Sequence, residues 1–200
     1  MSWRDESDSY ATLFDRSGRR KYLAKSERDR FLTACSRRDD ATAAFARLLA
    51  YTGCRISEAL DLKPNRLDPE TGRVVFRTLK RRRLTFRAVP IPSHLMEELI
   101  ALAHGRDGDE NLWKWCRQTA WRRVKSIMAE CGIVGAQAMP KGLRHSFGIA
   151  NAEQNVPPGL TRIWMGHARI ETTAIYQHAA GDEERAFAER IWRRSEERRH

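Results

Sequence analysis

The chain has 200 residues, room for one globular domain with a short appendage but cramped for two. Lys and Arg total 37 against 26 Asp and Glu, a formal net charge of +11, which favours a polyanionic partner, nucleic acid before an anionic membrane surface or a ribosome. No apolar run approaches the ~18 residues of a membrane helix, the first ten residues are too acidic and polar for a secretory leader, and Cys35, Cys54, Cys116 and Cys131 lack zinc-ligand spacing, so four reduced, buried thiols in a cytoplasmic protein are expected.

Residues 1–25 are polar, with scattered aromatics (Trp3, Tyr10, Phe14, Tyr22), and read as an extension ahead of one domain at 26–200. Ser26, with Glu27 and Asp29 behind it, signals a helix start, and the helix runs through Phe31, Leu32 and Cys35 toward Arg38. Ala44, Phe45, Leu48, Leu49 and Thr52 recur at three- and four-residue intervals on one face of a second helix, which Gly53 stops. Ser57 is positioned to cap a short third helix carrying Glu58, Ala59, Leu60 and Leu62.

Turn formers at 68–72 lead into Val74, Val75 and Phe76, and residues 84–91 supply a second β-rich run, so the two pair as a hairpin. Its connection is Lys80, Arg81, Arg82 and Arg83, within a stretch that has no acidic residue between Arg73 and Arg87. Ser93 opens a helix through Leu95, Leu99 and Leu102, and a surface loop follows at 105–110. Residues 111–128 look helical for much of their length, mixing Trp113, Trp115 and Trp121 with Lys114, Arg117, Arg122, Arg123 and Lys125; Trp121 is expected to be buried. A helix over about 143–154 ends before Pro157 and Pro158, and short helices follow at 160–165 and 172–178. A charged terminal helix at 182–195 carries Phe187, Ile191 and Trp192 along one face, suited to its own domain or to a neighbouring protomer. The fold class is mainly α with one small antiparallel sheet.

Several of these places put a basic or nucleophilic side chain at a special position. Arg55 falls at the break between two helices, where its fork is free for a phosphate's oxygens, although an isolated arginine there is more often solvated or salt-bridged. Lys141 and Arg144 are three residues apart at a helix start, an anion-binding placement. His167 and Tyr176 are nine apart, roughly 13 Å along a continuous helix, so a turn at 168–171 and a cap at Thr172 must bring them to one site.

Gly-Cys-Arg55-Ile-Ser-Glu58, then Lys80 in a hairpin, then Leu-Arg144-His145, then Gly-His167 with Tyr176 nine residues on, resembles the tyrosine recombinases of the phage-integrase family over about residues 20–195. The resemblance implies a mainly α catalytic domain that nicks one strand of double-stranded DNA, leaves a 3′-phosphotyrosine and a free 5′-hydroxyl, and passes the strand to a partner duplex. It implies that Arg55 and Arg144 clamp the scissile phosphate, Lys80 protonates the leaving oxygen, His167 binds the phosphate and Tyr176 is the nucleophile. Lys141 stands where the family most often has His and is read as a further phosphate-side charge. The resemblance also implies a dimer or tetramer on DNA. Two-domain members carry a further DNA-clamping domain ahead of the catalytic one, in whose place this chain has a short polar stretch.

The chemistry accounts for these residue types: breaking a phosphodiester builds negative charge on the phosphoryl and leaving oxygens, and fixed cations aimed there lower the barrier. No metal, ATP or other cofactor is expected, since the covalent intermediate keeps the phosphodiester energy and neither a phosphate-binding Gly-rich loop nor a carboxylate cluster is present. Glu58 is a candidate to hold an arginine in place, and His145 to pack or orient. Arg81, Arg82, Arg83, Arg122, Arg123 and Lys125 are candidates for DNA-backbone contacts. The localisation expected is cytoplasmic, on the nucleoid, with no membrane partner. The rival readings are a DNA-binding protein that kept the fold without turnover, and a type IB topoisomerase.

Overall fold

The computed structural model describes residues 13–78, 85–176 and Glu189. Eight helices, α1 (Lys25–Cys35), α2 (Asp40–Thr52), α3 (Ile56–Leu60), α4 (Ser93–Ala103), α5 (Arg117–Glu130), α6 (Pro140–Glu153), α7 (Pro158–Met165) and α8 (Glu171–Ala174), surround a small sheet among the described residues. The sheet holds β1 (Leu67–Asp68), β2 (Arg73–Arg77) and β3 (Phe86–Pro90), antiparallel in the order β1-β2-β3, with Val74 opposite Val89 and Phe76 opposite Arg87. Lys80, Arg81, Arg82, Arg83, His178 and the terminal helix expected at 182–195 lie outside the described residues, Glu189 apart.

Helix α2 is the hub, touching α1, α4 and α6 and, less extensively, α3 and α5. Its composition explains this, because Ala43, Ala44, Ala46 and Ala50 let neighbours approach while Phe45, Leu48 and Leu49 fill the spaces between them. Asp39 Oδ1 caps it by accepting from Thr42 N at 3.0 Å, and Gly53 ends it at φ +59°. The main core joins these residues to Phe31, Val74, Phe76, Leu95, Leu99, Trp113, Val124, Ile127 and Leu143. A second cluster of Leu13, Phe147, Ile149, Met165 and Tyr176 lies beneath the site described below.

The elements depart from the sequence reading in several places, each for a physical reason. Helix α1 starts at Lys25 rather than at a Ser26 cap, because Glu27 Oε2 reaches back to Ala24 N at 2.8 Å. The stretch expected to be an extension through residue 25 joins the domain from Leu13 on: Leu13 and Leu23 are buried, and Leu23 N donates to Ser146 Oγ at 2.6 Å. Residues 111–116 are not helical; Trp113 and Trp115 stand edge-on to Phe45, and α5 begins only after Cys116, whose sulfur accepts from Thr119 N. Trp121, expected inside, is 43% exposed with the Lys125 ammonium 5.8 Å from its ring centroid. Of the four cysteines only Cys35 and Cys54 are buried, since Cys116 occupies a helix cap and Cys131 a helix end. Helix α6 starts at Pro140 rather than near 143, because proline suits a first helical turn. No helix of the described residues is long and apolar enough to cross a membrane.

Candidate active site

Two helix breaks and one buried helix turn aim the candidate residues at one place. Arg55 is itself the N-cap of α3, the position expected for Ser57, and Glu58 one turn on explains why: its Oε2 accepts from Arg55 N at 2.8 Å and its Oε1 from Arg55 Nη1 at 2.9 Å. Arg144 is set in the second turn of α6 and turns inward, only 9% exposed, donating from Nη1 to Gly53 O at 2.6 Å and from Nη2 to Met165 O at 2.8 Å. It thus ties the end of α2 to the end of α7. His167 follows Gly166, which closes α7 at φ +64°, and its Nδ1 is 2.8 Å from Thr173 Oγ1 on α8. Its Nε2 makes no hydrogen bond among the described residues.

Tyr176 comes two residues after α8, which runs from Glu171 to Ala174 and begins at an Ile170 cap rather than at Thr172. The ring is 2% exposed, stacked on His167 with centroids 6.2 Å apart and planes 20° off parallel, and its hydroxyl is 3.2 Å from His145 Nδ1. His145 Nε2 is buried without a hydrogen-bond partner among the described residues. The phenolic hydroxyl is thus covered, facing His145 rather than solvent.

The charges of the site are set by burial first and by its arginines second. Burial pushes the Tyr176 phenol up to about 12, with Arg144 and Arg55 pulling the other way. Burial, then the charges of Arg144 and Arg55, brings His167 down to about 3; burial, then Lys141 and Arg144, brings His145 down to about 4. Both histidines are therefore neutral at neutral pH. Burial and Arg55 lower Arg144 to about 10, which leaves it cationic there. Burial alone would raise the Glu58 carboxyl, yet the charge and hydrogen bond of Arg87, with those of Arg55, hold it below the usual carboxylate range.

The fold therefore gathers Arg55, Glu58, Arg144, His145, His167 and Tyr176. It leaves Lys141 exposed on the first turn of α6, acting on the cluster through its charge on His145. Among the residues read as backbone contacts, Arg122 is exposed on α5, while Arg123 folds back to donate to Asp39 Oδ2 at 3.1 Å and Thr42 Oγ1 at 2.5 Å, its guanidinium 4.4 Å from the Trp115 ring centroid. Arg87, which the sequence reading passed over, is buried beside Glu58. A signal for it existed: β3 alternates exposed and buried positions, and Arg87 falls in phase with Val89 on the inward side.

Residues 21–183 match the phage integrase family. Tyrosine recombinase XerA of Thermococcus onnurineus is 32% identical over 139 residues, which cover 64% of this chain and 48% of that protein. The crystal structure of a XerA recombinase superposes with a TM-score of 0.71 at 25% identity, over 84% of this chain and 64% of that one. The XerH recombinase, in a post-cleavage complex with its difH substrate, superposes with a TM-score of 0.76 at 21% identity over 86% of this chain and 53% of that one, a likeness of fold. The chain thus spans about half the length of the curated relative.

Proposed function

The chain belongs to the phage integrase family, and from that premise we propose that it is a site-specific recombinase, cutting and rejoining strands of double-stranded DNA through a covalent 3′-phosphotyrosine at Tyr176. The observation that carries the proposal is the meeting of Tyr176 with Arg144, Arg55 and a neutral His167 from four separate stretches of chain. In this reading the two arginines bind the non-bridging oxygens of the scissile phosphate, and their charge acts most strongly on the pentacovalent transition state. The phenolic oxygen forms the bond to phosphorus and the bond to the 5′-oxygen breaks, Lys80 supplying the proton that oxygen needs. The phenolic proton leaves to His167 or to water. Attack by another strand's 5′-hydroxyl reverses the step, so neither a metal ion nor ATP enters.

Double-stranded DNA is then the partner, as difH is for XerH, with assembly as a dimer or tetramer on it and a cytoplasmic, nucleoid-associated location. Residues 26–200, joined by the packed segment from Leu13, form the catalytic domain in this reading, with Lys141 and the arginines at 81–83 adding phosphate-side charge. The burial of Tyr176 favours one rival, a DNA-binding protein of the same fold without turnover. Incubation with a nicked suicide duplex separates them: a covalent protein–DNA adduct that Tyr176→Phe abolishes is expected, whereas a shifted duplex without adduct would identify the binder.

A further inference from the structure

The inward face of β3 places one guanidinium against two parts of the site at once. Arg87 is 7% exposed and donates from Nη2 to Glu58 Oε2 at 2.7 Å, from Nη1 to Glu58 Oε1 at 3.3 Å and to Thr78 Oγ1 at 3.4 Å, and from Nε to Trp164 O at 2.8 Å. Its flat face is 5.1 Å from the Phe76 ring centroid, and a Cβ on Gly166 would come within 3.0 Å of its Cζ and Nη1. The last glycine before His167 is therefore packed directly on this side chain.

Two consequences follow from these contacts. Trp164 O and Met165 O are among the last carbonyls of α7, which have no partner within the helix. Arg87 takes the first and Arg144 the second, so two cations hold the helix end from which His167 projects. The other consequence is electrostatic. Glu58 is needed to fix Arg55, but a carboxylate paired with Arg55 alone would cancel the charge that a phosphate requires. With Arg87 sharing that carboxylate, the three arginines and one glutamate leave the pocket positive, and Arg55 is anchored without being neutralised.

We propose, on the strand-cleavage reading above, that Arg87 is a positioning residue for that reaction: through Glu58 it sets the place and effective charge of Arg55, and through Trp164 O it sets His167. It touches neither the phosphate nor the tyrosine. Its loss should therefore act on the rate of the bound complex rather than on the holding of DNA.

The test is a double-mutant cycle with R87Q, E58Q and R87Q/E58Q, measuring single-turnover adduct formation on a nicked suicide duplex at saturating DNA, with duplex affinity and thermal melting alongside. R87Q should lower the saturated rate by about 10- to 100-fold, the scale of a misplaced catalytic group, with affinity nearly unchanged. The double variant should lose much less than the product of the two single losses, because removing the carboxylate also removes what Arg87 offsets. A merely structural arginine would lower melting and leave the saturated rate of the folded protein intact, which overturns the proposal, as do losses that simply multiply. Should R87Q give no cooperative melting, R87K replaces it, since it keeps a cation at Glu58 without the fork that also reaches Trp164 O; a wild-type rate for R87K overturns the proposal, and a reduced rate at unchanged affinity supports it. Wild-type protein forming no adduct would sink the strand-cleavage reading itself, a result distinct from wild type and R87Q cleaving alike.

Discussion

Replacing Gly148 with alanine acts directly on the seat of the tyrosine. Gly148 lies in the middle of α6, and a Cβ built there falls 2.5 Å from Cδ2 and Cε2 of Tyr176 and 2.6 Å from its Cζ. Non-bonded carbons settle at about 3.5–4.0 Å, so the ring has to move by about 1 Å or leave. The helix cannot retreat, because α6 is packed on α2 and α7. Nor does the backbone object, since Gly148 is not among the glycines of positive φ and alanine in a helix interior gains about 1 kcal/mol over glycine. Against that gain stands an overpacking cost of about 1–3 kcal/mol. The net loss is then about 0–2 kcal/mol, a fall in melting temperature of at most about 8 °C for a chain of this size.

The sharper readout is the phenol itself. In its seat Tyr176 is raised to about 12 by burial; displaced toward water, it should titrate nearer the ordinary value of about 10. Ultraviolet titration of G148A against G148A/Y176F, and of wild type against Y176F, isolates this ring from the rest of the four tyrosines. On the strand-cleavage reading, adduct formation at saturating DNA should hold or rise, because G148A favours the displaced ring. A Tyr176 titration unchanged in G148A, with unchanged melting, would refute the packing argument.

Acid should loosen the fold before the carboxylates titrate. The folded values of His167 and His145, about 3 and about 4, lie below the unfolded value of about 6.5. Stability is thus fully present above pH ~6.5 and is lost as pH falls, because the unfolded chain takes up protons first, at about 1.4 kcal/mol per pH unit for each histidine. Denaturant midpoints at pH 7 and pH 5 measure this; His167→Asn should remove its share of the slope, and a flat profile would contradict the burial of both rings. Arg55→Ala and Arg144→Ala should each lower adduct formation by about 10²- to 10³-fold, by analogy with removing one oxyanion donor. The two should differ in melting: Arg144→Ala strands the Gly53 and Met165 carbonyls, each costing about 1–3 kcal/mol, whereas Arg55 strands no backbone group.

What local chemistry dictates was legible in the sequence, and what distant packing dictates was not. Helix α2 was readable because its apolar period and its glycine stop are properties of a dozen adjacent residues. The hairpin was readable from alternation, while the two-residue β1 carries no pattern of its own and exists only because Leu67 pairs with Val74 and Asp68 with Arg73. Trp113, Trp115 and Trp121 mimic a helical stripe, yet the first two are fixed by Phe45, far away in sequence, and the third belongs to the outer face of α5. Arg55 was recognised as a site residue but not as a cap, because its capping comes from Glu58 reaching back to Arg55 N rather than from a Ser or Thr hydroxyl. Arg87 was passed over as one more positive charge in a basic hairpin; only its inward phase in the strand distinguishes it.

The arrangement separates two tasks that one kind of charge could not serve together. The arginines are cationic whatever enters, and they are locked to carbonyls and a carboxylate of the scaffold, so their positions need not reorganise when a phosphate's charge grows. The histidines are neutral because burial, with the arginines beside His167 and Lys141 and Arg144 beside His145, makes a further positive charge unfavourable. An arriving phosphate diester reverses part of that penalty, since its negative charge beside His167 offsets the arginines that depress it. On the strand-cleavage reading, His167 therefore becomes more basic beside a bound phosphate, at the stage when the Tyr176 proton leaves to it or to water. A site built from lysines or charged histidines in these positions would keep the attraction for phosphate and lose that conditional rise in basicity.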